Sequence, residues 1–431
     1  MVIKLNDNKS IWEDYLKDKK INELNKDLVV DVLVIGGGIC GVLNAYYLTQ
    51  AGFNVVLLEK NRLGSGVTKN TTAFISAQQD VLYQERLKKI SSNDAVKYLK
   101  ANHEAIEEYK KLSGKFDFDF ESVSSNMYSL IEKQKLKEEY GILKRMGLNI
   151  SFSEGKYNVL TYLNQGQMNP IKLINELSNY FLYFENTEVI DINDGYAYTI
   201  DHRIKAKKII LCTHFPPYKF KGLFSLKMYQ KKSYVVSFES DLNIRDIYTN
   251  IKSNGFYLRK YNDILIVGGN DTKTGCVNEQ FDNIIEFVNN LDPNAKVLDK
   301  WTNQDCITLD DMPYVGWLEK NLYVCTGFNM WGMTSAMISA LLIRDILLKV
   351  DNEYLELFSP HRKMYKNQLI KNVGNSLKSL LKFGKNRCNH LGCKLNYIAL
   401  DDTYECPCHG SKYNKNGEII NSPAKKKHKP F

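Results

Sequence analysis

The chain has 431 residues, of which 44% are hydrophobic and 25% are charged. This balance is that of an ordinary globular protein, and it excludes wholesale disorder, a collagen-like repeat and a protein that spans a membrane many times. The net charge is +9, and +6 of it lies from Lys382 onward, where ten basic residues outnumber four acidic ones. The basic run 425–429 has no interleaved aromatic residues, which argues against nucleic-acid binding. It fits a solvated end or a docking patch for an acidic partner.

The first 28 residues are polar and lack the apolar segment of a secretory signal, which predicts a cytoplasmic location. The uncharged stretch 32–58 is long enough for a membrane helix. Three consecutive glycines, 36–38, argue against one continuous helix there. We therefore expect no integral membrane segment.

The stretch 29–59 predicts a strand–helix–strand unit. The β-branched run 29–35 indicates a buried strand, and residues 39–51 indicate a helix that ends at Gly52. A second apolar run, 53–58, predicts the next strand. Further helices are predicted at 93–111, 132–146, 171–180 and 333–348. Further strands are predicted at 187–192, 197–200, 206–212, 233–238, 255–259, 264–268 and 322–325.

Gly36, Gly38 and Gly41 follow the first strand directly, and Glu59 closes the second strand. In such a unit the first glycine permits a tight turn, the second lets the backbone approach a pyrophosphate, and the third allows helix and strand to pack closely. The helix start offers free N–H groups to phosphates. A carboxylate at position 59 can accept hydrogen bonds from ribose hydroxyls. The pattern predicts a dinucleotide site, which NAD and FAD could both occupy.

Two later segments distinguish FAD from NAD, because they resemble flavin-binding motifs of a known family. The loop 63–73, with Thr68, Thr71 and Thr72, resembles the second flavin loop of the amino-acid-oxidase-like (DAO-type) FAD-dependent oxidoreductases. The segment 323–334 resembles their third flavin motif. The resemblance implies FAD, with adenine contacted by the backbone of Val189. It also implies that the ring system is approached by Gly327, Gly332, Met333 and Thr334.

The same resemblance implies an α/β fold with α+β character. A Rossmann-like FAD-binding domain would be interleaved with an antiparallel-sheet substrate domain. A small, shortened β-type cluster-binding domain would follow. Residues 1–350 would form the flavoprotein, 351–385 a connector and 386–431 the last domain. FAD-binding segments are expected at about 30–95, 150–215 and 301–350, and substrate-domain segments at about 96–150 and 216–300.

The substrate region gives weaker signals. Tyr257, Arg259 and Tyr261 alternate along one predicted strand. If Arg259 points inward it could bind a substrate carboxylate through two hydrogen bonds, and if it points outward it is a surface residue. His214 follows a strand end that departs from the Ala-Thr-Gly usual in the resembling family, as does Cys212. His214 is either a residue near the flavin or a structural histidine. We predict Arg259, Tyr257 and His214 as catalytic candidates.

Cysteines are isolated in the first part of the chain and clustered at its end. The isolated ones are predicted to be small buried residues: Cys40, Cys212, Cys276, Cys306 and Cys325. Four others lie within 21 residues, in the segments 388–393 and 406–411, each of which also holds a histidine. Without an export signal, such a cluster indicates a metal site rather than a disulfide framework. A Cys2His2 zinc site is one possibility.

The two segments resemble the two ligand boxes of a Rieske 2Fe–2S centre. The resemblance implies cluster ligation by Cys388, His390, Cys406 and His409, with two thiolates on one iron and two imidazoles on the other. It also implies a disulfide between Cys393 and Cys408, as in the cytochrome bc type. Hydroxyls of Ser411 and Tyr413 would then donate to cluster sulfur and raise the potential.

This chain departs from the Rieske family before the first box. The stretch 372–387 is rich in Lys and Leu and shows no strand alternation, where the family has strands that form a base. The cluster loops are therefore expected to rest against the flavoprotein or a partner chain. A degenerate domain that has lost its cluster is the alternative.

Together these motifs predict an FAD-dependent dehydrogenase that oxidises a small amine or amino-acid-like substrate. Electrons would pass through a Rieske 2Fe–2S cluster to an external acceptor, such as an acidic electron-carrier protein. One alternative is a reductase fed by a carrier through the cluster, which a high Rieske potential disfavours. Another is a simple flavin oxidase or a non-catalytic protein whose last site is degenerate or holds zinc.

Overall fold

The computed structural model describes residues 6–7, 9–16, 22–79, 83–216, 222–252, 255–278, 280–363, 380, 384, 386–399 and 402–430. Most of the predicted connector 351–385 and of the Lys- and Leu-rich stretch 372–387 lies outside these residues. No helix in the described ranges is both long enough and apolar enough to cross a membrane.

The secondary structure alternates between helices and strands in the first half and is dominated by strands in the second. The α-helices are α1 Ile39–Gln50, α2 Tyr83–Arg86, α3 Ser92–Ser113, α4 Lys133–Arg145, α5 Pro170–Leu177, α6 Phe224–Lys227, α7 Phe281–Leu291, α8 Gly332–Leu348 and α9 Leu355–Phe358. The strands are β1 Asn6–Asp7, β2 Leu28–Ile35, β3 Val55–Leu58, β4 Phe74–Ile75, β5 Glu121–Ser129, β6 Ile150–Ser153, β7 Asn158–Gln167, β8 Leu182–Phe184, β9 Asp191–Asn193, β10 Tyr196–Tyr198, β11 Arg203–Leu211, β12 Met228–Glu239, β13 Ile247–Asn250, β14 Tyr257–Tyr261, β15 Ile264–Lys273, β16 Lys296–Thr308, β17 Tyr314–Glu319, β18 Leu322–Thr326, β19 Asn396–Ile398, β20 Thr403–Glu405, β21 Lys412–Asn414 and β22 Ile419–Asn421.

An eight-stranded sheet carries the strand–helix–strand unit. Its main path is β17-β18-β11-β2-β3-β8, and the pairs from β18 to β8 are parallel. Strands of a parallel sheet are buried on both faces, which explains the continuous apolar runs of β2 and β3. Helices α1 and α8 pack against each other. Both helices begin close to the carboxyl ends of β2 and β18, so their N-termini lie at the same edge of the sheet.

A ten-stranded sheet, largely antiparallel, forms the second layer. Its path is β1-β16-β12-β15-β14-β13-β5-β7-β4, with β6 paired to β7. The longest pairing joins β12 to β16, from Met228 opposite Thr308 to Glu239 opposite Lys296. Because side chains alternate along a strand, β12 and β16 present one set of residues to each face of this sheet.

The last described segment is a small antiparallel sheet, β19-β20-β21-β22. Its core is formed around Cys388, Cys393, Cys406, Cys408 and Tyr413. The basic run after it is exposed at Lys425, Lys426, Lys427 and Lys429 but is tied to the sheet, since the N–H of His428 donates to Gly417 O at 2.8 Å.

The predicted helices were each found with small shifts at their ends, but one predicted strand was wrong. In the predicted strand 187–192, only the last residues form a strand. The chain turns past the edge of the sheet before them, where Thr187 N donates to Glu59 O and Ile190 N donates to Tyr198 O. The sequence analysis missed β5, β7, β16 and α7. Four isolated cysteines are buried as predicted, whereas Cys276 is only half-buried.

Candidate functional site

The glycine turn after β2 can be formed only by glycines at two positions. Gly36 has φ +108°, and a Cβ there would lie 2.6 Å from Cys212 O. A Cβ on Gly41 would lie 1.8 Å from Gly36 O. A side chain at either position would therefore collide with neighbouring main chain. Because the turn has no side chains, it does not cover the N–H groups at the start of α1.

Glu59 lies against this turn. Its carboxylate accepts hydrogen bonds from Gly37 N at 2.6 Å and from Asn61 N at 2.8 Å. Burial raises the pKa of Glu59, and these two N–H donors oppose the rise. Thr68 Oγ1, from the second loop, accepts from Ile39 N at 3.0 Å. The loop and the acidic residue therefore meet at the N-terminus of α1.

The start of α8 is an uncapped helix N-terminus. No side chain caps its first turn, and the hydroxyls of Thr334 and Ser335 are buried without a hydrogen-bond partner in the described structure. Gly327, just before, has φ +74°. Uncapped N–H groups and buried hydroxyls in need of partners fit a ligand with several acceptor oxygens and ring nitrogens.

These residues fit FAD. The glycine turn, Glu59 and Thr68 would hold the ribose and pyrophosphate, and the start of α8 would lie against the ring system, where FAD supplies two-electron redox chemistry. Val189 is half-buried just after β8, beside the apolar residues of the parallel sheet. This position is compatible with its expected contact to the adenine.

A cavity opens between the flavin loops and the ten-stranded sheet. Two of its sides come from segments expected to contact the flavin. The other sides come from strands of the sheet. Its lining is Asn70, Thr71, Thr72, Phe74, Ser233, Val235, Thr249, Tyr257, Asn303, Asp305, Met330, Trp331, Gly332 and Met333.

The three predicted catalytic candidates have different surroundings. Tyr257 lines the cavity. Arg259 does not: its side chain is fully buried, and its guanidinium donates to Ala73 O at 3.1 Å and to Met168 O at 3.2 Å. The sequence left two alternatives for Arg259, a residue that binds a substrate carboxylate or a residue on the surface. Its burial and its two carbonyl partners fit neither alternative.

His214 is also outside the cavity lining. It is half-buried, with φ +63°, and desolvation of its ring lowers its pKa to about 4. Its main-chain oxygen accepts a hydrogen bond from the hydroxyl of Thr326 at the end of β18. The side chain therefore stays neutral near pH 7, beside Gln230 and Gln304.

Asp305 is a cavity residue that the sequence reasoning missed as a site residue. Its side chain is 8% exposed, and burial raises its pKa to about 7, with a smaller contribution from Asp271. Asn303 Nδ2 donates to Asp305 Oδ2 at 2.9 Å. No local signal marked it, because its strand neighbours 302–304 are polar as well and the strand itself had not been predicted.

The two cysteine–histidine loops of the last segment come together as one buried site. Each loop closes with the same hydrogen bond, from Gly392 N to Cys388 O and from Gly410 N to Cys406 O, both at 2.9 Å. The disulfide Cys393–Cys408 joins the two loops, as the resemblance implied. The four predicted ligands are at most 5% exposed: Cys388, His390, Cys406 and His409.

The imidazole nitrogens are oriented for a metal cluster. His409 Nε2 lies 2.8 Å from Ser225 O, and since a carbonyl only accepts, Nε2 carries the proton. The Nδ1 atom of His409 then holds a lone pair, and this buried atom has no hydrogen-bond partner in the described structure. His390 Nε2 lies 3.1 Å from Ser225 Oγ, so Ser225 contacts both imidazoles.

The sulfur side of the site also fits. The thiols of Cys388 and Cys406 interact directly, and Tyr413 OH lies 3.5 Å from Cys388 Sγ. Ser411 Oγ accepts from Ala424 N at 3.0 Å. Two thiols, two imidazole Nδ1 atoms and a hydroxyl near sulfur match a Rieske 2Fe–2S cluster, which supplies one-electron redox chemistry.

The cluster loops lie directly on the ten-stranded sheet. Gln230 Nε2 donates to His409 O at 2.7 Å, and Gln304 Nε2 donates to Gly410 O at 2.6 Å. Thr274 Oγ1 donates to Cys406 O at 3.3 Å. The expectation that these loops rest against the flavoprotein is met by these contacts. No local sequence signal marks Ser225, Gln230 or Gln304 for this role.

One buried ion pair fixes the same contact. Lys232 Nζ lies 2.6 Å from Glu405 Oε1, and the two side chains are 2% and 0% exposed. The other carboxylate oxygen of Glu405 accepts from Gly275 N at 2.9 Å. Lys232 points away from the cavity, whereas its neighbour Ser233 lines it.

The sheet therefore has the cavity on one face and the cluster loops on the other. On β16, Asn303 and Asp305 line the cavity, while Gln304 between them binds the second cluster loop. The cavity wall and the cluster site are therefore separated by a single sheet.

Family comparisons agree with this division. Residues 31–346 match the model of the family described as FAD dependent oxidoreductase, and residues 369–431 match the Rieske [2Fe-2S] domain. The putative Rieske 2Fe-2S iron-sulfur protein YhfW of Bacillus subtilis (strain 168) is 28% identical, with 93% of each chain covered. The cytochrome b6-f complex iron-sulfur subunit of Chlorobaculum thiosulfatiphilum is 56% identical over 36 residues, 8% of this chain and 20% of that protein.

Solved structures share the fold of the larger part. Glycine oxidase from Geobacillus kaustophilus superposes with a TM-score of 0.69 at 18% identity, covering 78% of this chain and 100% of that one. L-proline dehydrogenase from P. horikoshii gives a TM-score of 0.64 at 19% identity, covering 78% and 98%. At these identities the likeness concerns the fold.

Proposed function

Because the chain belongs to the FAD dependent oxidoreductase family and ends in a Rieske [2Fe-2S] domain, we propose that it is a dehydrogenase whose electrons leave through the cluster. The chain is an FAD-dependent oxidoreductase with a Rieske-type cluster, and the predicted fold class is confirmed. The proposal concerns the finer steps. A small amine or amino-acid-like substrate is oxidised in the cavity, and an external acceptor takes the electrons.

The observation that carries the proposal is the position of the two imidazoles. Both ring edges contact Ser225 of the flavoprotein, on the face of the sheet opposite the cavity. An imidazole edge that contacts another protein group is the natural exit or entry point for cluster electrons, because the histidines ligate iron directly. Here the imidazole edge contacts the flavoprotein part of the same chain. This contact favours electron exchange between flavin and cluster.

The direction of flow follows from the expected potential of the cluster. Two imidazole ligands place a Rieske potential at roughly −150 to +300 mV, well above that of an all-cysteine cluster. The hydroxyl of Tyr413 near Cys388 Sγ favours the reduced form further. Electrons are therefore expected to move from flavin to cluster, as in a dehydrogenase.

Flash photoreduction of the flavin in the anaerobic holoenzyme tests this path without knowledge of the substrate. The flavin band should recover as the electron paramagnetic resonance signal of the reduced cluster appears. The rate should be first-order and independent of protein concentration, since the transfer is within one chain. A reduced flavin that leaves the cluster oxidised, or a rate proportional to protein concentration, contradicts the proposal.

The basic tail supports the partner part of the proposal. Asn389, between two predicted cluster ligands, donates from Nδ2 to Lys426 O at 3.1 Å and to Lys427 O at 2.7 Å. The exposed lysines 425–427 therefore lie next to the first cluster loop. A positive surface beside a cluster attracts an acidic electron-carrier protein and orients it there.

Charge reversal in the tail tests this contact. Replacing Lys425 and Lys426 by glutamate should slow reduction of an acidic c-type cytochrome, whose Met/His-ligated haem has a high potential, by about tenfold at low salt, with the difference shrinking as salt screens the charges. The rate is measured by stopped-flow absorbance after photoreduction. The control replaces Lys110 and Lys111 at the end of α3, an identical change in charge. Equal slowing in both variants would show that only net charge matters.

A further inference from the structure

The cavity beside the flavin motifs has a polar wall whose hydrogen-bonding atoms are not all used. Thr249 Oγ1 and Asn303 Oδ1 are buried and have no hydrogen-bond partner in the described structure. Their residues are 3% and 9% exposed, and both line the cavity. Because a buried polar atom without a partner costs free energy, these atoms indicate a ligand that hydrogen-bonds to them.

The charge of this wall is negative. Asp305 lies beside Asn303 and is 8% exposed. None of the described residues that line the cavity is Lys, Arg or His. Arg259, the nearest candidate from the sequence, donates instead to two main-chain carbonyls. A substrate carboxylate would therefore find a buried acid and no cationic partner among these residues.

Another part of the lining is aromatic. The rings of Phe74 and Tyr257 meet edge to face with centroids 5.7 Å apart, and those of Phe74 and Trp331 are 6.4 Å apart. Aromatic faces attract cations through their quadrupole, and aromatic walls are the usual recognition site for alkylated ammonium groups. An acidic side chain and an aromatic wall both favour a cation, and here they line the same cavity.

We infer that the cavity binds a small alkylammonium group, with Asp305 as its counter-ion and Phe74, Tyr257 and Trp331 as its aromatic wall. This inference rests on the proposed function and narrows its substrate class to organic amines that need no carboxylate. Asn303 Oδ1 and Thr249 Oγ1 accept hydrogen bonds from the N–H groups of such an amine.

The binding depends on pH through Asp305. Burial raises the pKa of Asp305 to about 7, with a contribution from Asp271 on β15. Lys231, opposite Asp305 on β12, acts mainly on Asp271. A cation binds the carboxylate form, so affinity for a permanently charged cation should rise about tenfold between pH 6 and pH 8, as the ionised fraction rises.

Calorimetry on the anaerobic holoenzyme tests the inference with tetramethylammonium, which keeps its charge at every pH. We expect saturable binding, with tert-butanol and acetate binding at least about tenfold more weakly because neither carries a positive charge. Asp305→Asn should weaken tetramethylammonium binding about tenfold and remove its pH dependence. Asp299→Asn, a carboxylate lost from the same strand outside the cavity lining, should leave it unchanged.

A second variant covers the case in which Asp305→Asn does not fold. Tyr257→Leu should weaken tetramethylammonium binding severalfold while FAD content, measured by absorbance, stays at the wild-type level. The inference is overturned if tetramethylammonium does not bind, if acetate or tert-butanol binds as well, or if neither cavity variant differs from the Asp299→Asn control. Flash photoreduction needs no substrate, so failure of the flavin-to-cluster path is detected separately from failure of cation binding.

Discussion

Replacing His409 by alanine should remove the iron cluster and stop electron delivery to an external acceptor. The lost Nδ1 atom is the buried nitrogen that faces the cluster site, and its ring is held by Ser225 O. Changes to the outer partners of metal ligands already cost 10–100-fold, so loss of a ligand should slow acceptor reduction by about 100-fold or more. Iron and sulfide content, together with the low-temperature electron paramagnetic resonance spectrum, report the cluster directly.

The matched control is His428→Ala. His428 is a histidine of the same small domain, and its main chain is bound to Gly417 O, but it belongs to neither ligand box. This variant should keep about two irons per chain. Both variants should still bind FAD and undergo photoreduction at the flavin. If His409→Ala retains the Rieske signal, or if the wild-type site holds zinc, the ligand assignment is wrong.

Replacing Lys232 by methionine should detach the cluster domain from the sheet. Among the described residues, the change leaves the fully buried Glu405 with Lys412 Nζ, at 3.5 Å, as its remaining cationic partner. Breaking a buried ion pair by removing one partner costs about 3–5 kcal/mol. Because Lys412 remains, we expect a loss of stability near the lower end, about 3 kcal/mol, measured by denaturant unfolding. Flavin-to-cluster transfer should slow in the same variant.

A double variant separates the unpaired charge from general damage to the interface. Lys232→Met combined with Glu405→Leu removes both charges and keeps apolar volume in the contact. Such replacements of a whole buried pair are often neutral or stabilising, so most of the lost stability and transfer rate should return. A single variant within about 0.5 kcal/mol of the wild type would show that the ion pair does not hold the domains together.

The sequence predicted the cofactor sites because their motifs are local. The glycine turn needs three glycines within six residues, and the close approaches of Gly36 and Gly41 show why no other residue fits. The cluster ligands likewise lie in two short boxes. In each case the chemistry depends on residues that are neighbours in the chain, so their spacing carries the information.

The contacts between the two sites could not be predicted in the same way. Gln230 and Gln304 bind the second cluster loop only because β12 and β16 pair over their whole length, and these residues lie far from 409–410 in sequence. Asp305 was missed for the same reason, since its strand was not predicted. For Arg259, strand alternation left the direction of the side chain open. Packing against Trp12 and bonds to two carbonyls settled it.

The polar face of the ten-stranded sheet supplies hydrogen-bond donors and a charge that the cluster domain of this chain uses. In a separate four-stranded unit, the carbonyls of His409 and Gly410 and the carboxylate of Glu405 would lose the donors they have here. The small domain of this chain thus depends on the flavoprotein part for these donors. A change at Gln230, Gln304 or Lys232 would leave buried acceptors of the cluster domain without their donors, so in this chain the residues on the two sides of the contact depend on each other.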